Sequence, residues 1–191
     1  MDPWLVLAAE LSVERSAAAE RTARFEAIRT IAPSRSVLLA NTSPQEALEA
    51  AGLSTHSAGV LVSAALGLLE LFDGQVPDDD LELRAIPGVG DSVAKAVLCF
   101  GHGRNAVPLH SAAARVAARM AGRDETGRWQ LRLDLYRLAG PAGPDAKFSA
   151  AVIHLGNEIC RPERPLCSAC PLERRCETAR SVYRRARTAA A

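Results

Sequence analysis

Lysine is nearly missing from this chain: Lys95 and Lys147 are the only two among 23 basic residues, the rest being arginine. A bias on that scale reads as genomic rather than functional. Aromatic residues are also scarce, 4% against 48% hydrophobic residues overall, and together these point to a helical body rich in alanine and leucine. No run of eighteen apolar residues is present, and Met1-Asp-Pro-Trp4 lacks the basic and apolar regions of a signal peptide. No membrane partner is therefore expected, and a cytoplasmic location where thiols stay reduced is. There is no internal repeat. The net charge of +1 does not by itself advertise a nucleic-acid partner. At 191 residues the chain has room for one sizeable core or two small lobes.

What is present is unevenly placed. From Arg161 onward there are eight arginines against three glutamates, while Asp73 to Glu82 holds five acids and no base. Four of the five cysteines fall within seventeen residues, Cys160, Cys167, Cys170 and Cys176, spaced C-x6-C-x2-C-x5-C. That spacing suits four thiolates converging on one compact inorganic cluster; a structural zinc and a disulfide pair are the alternatives.

Helical periodicity runs from Asp2 to Ile31, as one long or once-broken helix. Pro33-Ser-Arg-Ser36 reads as a break, and Ser43-Pro44-Gln-Glu46 as a capped helix start running to Ala51. Ser57 to Phe72 is an apolar helix, and Asp78 to Asp80 caps a short one over Leu81 to Ala85. Ile86-Pro87-Gly88-Val89-Gly90 follows, then a helix from Asp91 to Phe100. Helix, Pro-Gly-Val-Gly turn, helix is a helix-hairpin-helix pattern. Its two glycines let the backbone turn tightly and leave N–H donors outward at a helix start, where they fit a DNA phosphate. Further helices are expected over Leu109–Ala121, Trp129–Leu138 and Lys147–Cys160.

The cysteine spacing matches without a gap the 4Fe-4S loop of the endonuclease III and MutY group of base-excision glycosylases. With the hairpin about seventy residues upstream, the chain resembles the helix-hairpin-helix glycosylase superfamily over nearly its whole length. The resemblance implies an all-α, two-lobed fold: a six-helix barrel over residues 1–104 carrying the hairpin at about 81–101, and a cluster lobe over 105–191 ending in a basic tail. It implies a 4Fe-4S cluster on Cys160, Cys167, Cys170 and Cys176. The partner would be double-stranded DNA with a damaged, mismatched or abasic nucleotide, whose target base is flipped out of the stack. The protein would act as a monomer in the cytoplasm, at the nucleoid. Pro87, Gly88, Val89, Gly90, Lys95, Arg161 and Arg164 would touch DNA, and His56 lies where relatives insert a wedge into the base stack.

Three positions decide the chemistry that the resemblance implies. Glu10, following Asp2-Pro3-Trp4, would protonate the departing base, which needs a carboxyl buried enough to titrate near neutrality. Ser92 stands where bifunctional members place a Schiff-base lysine; serine cannot act so, which implies base release without strand cleavage. His110 occupies the place of the family's catalytic aspartate. A neutral imidazole can orient water or act as base or nucleophile, but it supplies no charge opposite a developing oxocarbenium ion. A site in which His110 merely caps its helix, within a non-catalytic protein recognising damaged or distorted DNA, is the alternative. Asp91 replaces a residue that is basic in relatives and is expected to cap its helix, Cys99 to sit in the core, and His154 to be an interior histidine. The chain lacks the C-terminal domain by which MutY reads an oxidised guanine, so adenine opposite that lesion is not the expected substrate.

Overall fold

The computed structural model describes residues 1–12, 18–123 and 127–181, and among them there are helices and no strand. The expected basic tail beyond Ser181 lies outside the described residues. The chain divides into two compact units, Met1–Arg104 and Asn105–Ala191.

The first unit holds α1 (Pro3–Leu11), α2 (Ala18–Ile31), α3 (Arg35–Leu39), α4 (Pro44–Ala50), α5 (Thr55–Phe72), α6 (Asp80–Ala85) and α7 (Asp91–Ala96). Short polar side chains start most of them. Asp2 accepts from the Leu5 N–H at 3.1 Å, with Pro3 preset for the first turn. Ser54 accepts from Ser57 N–H at 3.2 Å, and Asp79 from both Leu81 and Glu82 N–H at 2.8 and 3.2 Å. Each such cap stabilises its helix by about 0.5–2 kcal/mol. Trp4 is buried and donates its indole N–H to the Ala32 carbonyl at 2.9 Å, tying α1 to the end of α2. By length and composition α5 is apolar enough to cross a membrane, a property the run count above missed. Its buried Ala58, Leu61, Ala64, Ala65 and Leu68 make it the central core helix of the unit.

Three local readings change. The break expected over Pro33–Ser36 is shorter, ending at Ser34, because Ser34 caps helix α3 through Val37 N–H at 3.3 Å and Leu38 is fully buried. Ser43 precedes α4 but makes no side-chain cap bond; Pro44 sets that first turn instead. The helix expected to run from Asp91 to Phe100 stops at Ala96 and widens into a π turn, Val97–Gly101, that packs on α1. There the chain passes so close to α1 that a Cβ on Gly101 would lie 2.9 Å from Pro3 Cα. Cys99 is buried in this turn, as expected of a small apolar thiol.

The second unit begins with an extended segment, 105–109, and continues through α8 (Ser111–Met120), α9 (Arg128–Ala139) and α10 (Ala146–Glu158). Its core joins Val107, Leu109, Val116, Leu131, Leu135, Val152 and Leu155. A fully buried leucine such as Leu135 stabilises this core by about 1.5–3 kcal/mol. Helices α8 and α10 cross closely because Gly156 has no side chain: a Cβ there would sit 2.6 Å from the Ala112 carbonyl oxygen. The cysteine loop follows α10, with 3-10 turns at Cys167–Ala169 and Glu173–Arg175, and packs on the core through Cys160, Cys170 and Leu172.

Candidate functional site

In the first unit, α6, the Pro87–Gly90 turn and α7 form the hairpin. Buried Ile86 and Val89 pin the turn to the core. The two glycines do different work. Gly88 has φ +81, a left-handed conformation, and an added Cβ would meet Val60 Cγ1 at 2.5 Å. Gly90 has φ −87 and open space around its missing Cβ, so it is not needed for the turn but leaves the backbone approachable at the start of α7. Gly90, not Asp91, is the N-cap; Asp91 lies in the first turn, where its charge suits the helix dipole. His56, at the start of α5, lines one groove with Gln45, Gly59, Pro87 and Gly88. Ser92 is half-buried in the first turn of α7. Lys95 was expected to touch DNA. Its ammonium instead pairs with Asp80 of α6 at 2.8 Å, stitching the two hairpin helices together.

Glu10, near the end of α1, is half-buried, and burial pushes its carboxyl up from 4.5 to about 7. In the second unit His110 occupies the N-cap of α8 with extended backbone, yet its side chain makes no cap bond, which corrects the capping alternative. Its Nε2 is sealed from solvent. Burial, and then the Arg128 guanidinium, hold the imidazole below its ordinary pKa and therefore neutral at pH 7. His154 is exposed on α10 rather than interior.

Cys160, Cys167, Cys170 and Cys176 line a common small cavity of about 40 Å³ with Arg119, Leu166 and Ala179. Among the described residues, no three His, Cys, Asp or Glu side chains are gathered closely enough to hold a metal ion directly. Burial and then the neighbouring Cys176, Cys160 and Cys170 push the Cys167 thiol up, against a smaller opposing pull from Arg119. Four thiols around one cavity fit a group larger than a single ion: a cluster with its own sulfides reaches each thiol without their meeting. Arg161 and Arg164 are exposed on this loop, and Arg161 donates to the Glu158 carbonyl at 2.8 Å.

No family model matches the chain. It is 29% identical to the endonuclease III of Thermotoga maritima over 155 residues, covering 77% of this chain and 68% of that protein. It is 29% identical to the thymine/uracil-DNA glycosylase of Pyrobaculum aerophilum over 182 residues, covering 90% and 78%. Its fold superposes on the solved structure of an endonuclease III trapped covalently on DNA, with a TM-score of 0.80 at 20% identity over 96% of this chain and 87% of that one. These likenesses support a place among the helix-hairpin-helix glycosylases, and the fold is that of endonuclease III.

Two residues that the sequence reading passed over organise the cysteine loop. Arg115 and Arg119 stand one turn apart on α8. Arg115 donates to the Cys160 carbonyl at 2.8 Å and the Gly156 carbonyl at 2.7 Å, gathering the otherwise open carbonyl end of α10. Arg119 donates to the carbonyls of Arg161 and Pro162 at 2.6 and 2.5 Å and lies 3.5 Å from Cys160 Sγ. Its own carbonyl accepts from Cys176 Sγ at 3.3 Å and Thr178 Oγ1 at 2.8 Å. One arginine thus meets both ends of the loop. The sequence signal was an arginine pair at i, i+4 upstream of a cysteine cluster.

Proposed function

We propose that the protein is a DNA glycosylase of base-excision repair that releases a damaged or mismatched base and leaves the strand uncut. The observation carrying this reading is the hairpin: Gly88 forces the turn, Gly90 leaves it open, and the residue that would cleave the strand is Ser92, a side chain without an amine. Lys95, the nearest amine in sequence, is committed to Asp80, which supports the same conclusion. Duplex DNA would lie along the groove of His56, Pro87 and Gly88, with Val89, Gly90, Arg161 and Arg164 as further contacts. Glu10 titrates about 7, as suits a proton donor to the departing base. His110, neutral, would hold or take a proton from water at its imidazole nitrogen. Cys160, Cys167, Cys170 and Cys176 would hold a 4Fe-4S cluster, which when bound cross-links the loop that presents Arg161 and Arg164. The protein would work as a monomer in the cytoplasm, on nucleoid DNA.

The neutrality of His110 also favours a second reading, a protein that recognises damaged or distorted DNA without chemistry, because an uncharged ring gives no counter-charge to an oxocarbenium ion. A single-turnover assay on G·T, G·U, A·G, oxidised and alkylated duplexes, read before and after hot alkali, separates the two. Bands only after alkali establish base release without strand cleavage. Binding without bands establishes the second reading, and a His110→Asp variant that gains activity then identifies a lapsed enzyme.

A further inference from the structure

The extended segment 105–109, which delivers His110 to the start of α8, is read along its length by one face of α9. Arg128 donates to the Leu109 carbonyl at 3.2 Å, Arg132 to the Val107 carbonyl at 3.5 Å, and Tyr136 OH to the Asn105 carbonyl at 2.7 Å. Every fourth residue of the helix meets every second residue of the segment, running antiparallel. On the other side Ser149 of α10 donates to the Ala106 carbonyl at 3.2 Å. Ala106, Val107, Pro108 and Leu109 are all buried, so their backbone carbonyls need partners whatever the function.

Satisfying carbonyls does not require a permanent cation beside His110, and a neutral amide or hydroxyl would serve. We propose that Arg128, with Arg132 and Tyr136, is a positioning residue for His110: the ladder fixes the register of the segment that carries the ring. The proposal deepens the functional reading above and rests on His110 being a site residue. The remaining charges around the ring are directed elsewhere. Arg115 of α8 is turned to the carbonyls of Ser111, Gly156 and Cys160, and Arg132 to Val107. The charges of α10, Lys147, His154 and Glu158, are exposed. Burial pushes the ring towards neutrality in the same direction as Arg128.

The test is the titration of the His110 ring by NMR in the intact protein, assigned with a His110→Asn variant, beside single-turnover base release as a function of pH. In Arg128→Gln the ring pKa should rise, and the acid limb of base release should move with it, while Arg137→Gln on the exposed side of α9 changes neither. In Tyr136→Phe the ring resonances should shift although the substitution lies at the far rung. Identical His110 resonances and titration in folded Arg128→Gln and Tyr136→Phe would overturn the ladder's positioning role and leave it as carbonyl satisfaction alone. If Arg128→Gln does not fold, Arg128→Lys, which keeps the charge but not the planar fork, and Tyr136→Phe carry the same test. Absence of base release from the wild type sinks the glycosylase reading without touching the ring titration, so the two failures are told apart.

Discussion

Gly88 and Gly90 are two residues apart, identical in sequence, and opposite in consequence. Gly88→Ala places a side chain at φ +81 and against Val60, and should lower stability by about 1–3 kcal/mol, read by thermal or denaturant melting. Gly90→Ala meets neither obstacle and should melt like the wild type, yet under the proposed function it should bind duplex DNA several-fold more weakly, because the new methyl group would stand where a phosphate is proposed to approach. Loss of stability in the second variant with DNA affinity intact would reverse the assignment. Glu10 makes a prediction in pH. Its folded carboxyl holds a proton up to about 7, whereas the unfolded one releases it near 4.5. Folding is therefore favoured below 4.5 and loses that advantage as pH rises through 7, by about 2–3 kcal/mol. Melting of the wild type should decline between pH 5 and 8 and that of Glu10→Gln should stay level over this contribution. Parallel curves would show that the carboxyl is solvated. The sequence named Glu10, Ser92 and His110, but not the difference between the two glycines, since both fit one motif and φ is not written in residue type.

Among the elements, the long helices were legible: α5, α8, α9 and α10 lie within a few residues of their expected spans. What escaped depends on neighbours distant in the chain. The π turn packs against α1, about ninety residues earlier, and the rungs of α9 look in sequence like ordinary amphipathic arginines. The cysteine loop was legible as a cluster of four cysteines, while the arginines that shape it come from α8. Arg119→Gln should therefore lower iron bound per chain and hasten loss of visible absorbance under chelator, with the helical content unchanged. Full iron retention would mean that the cysteines alone define the loop. Gly156→Ala drives a Cβ into the Ala112 carbonyl and should separate α8 from α10 at about 1–3 kcal/mol. Because Arg115 bridges those helices to Cys160, iron should be lost in that variant too.

For the molecule as a whole, a formal charge of +1 means that DNA affinity depends on where the arginines stand rather than on their number. Exposed Arg161 and Arg164 belong to the second unit, and the hairpin to the first, so under the proposed function each unit would bring its own kind of phosphate contact. The superfamily and the all-α fold were legible at this scale because a hairpin motif and a cysteine spacing are long, local patterns. The Lys95–Asp80 pair adds something that a count of basic residues conceals. A cation already neutralised within the protein displaces no condensed sodium or potassium when it nears a phosphate, so it adds nothing to the counterion release that drives association at low salt. The hairpin would grip DNA through backbone dipoles, which tolerate salt. Asp80→Asn would free Lys95 and steepen the dependence of log affinity on log salt by about 0.9, turning a salt-tolerant hold into an electrostatic one.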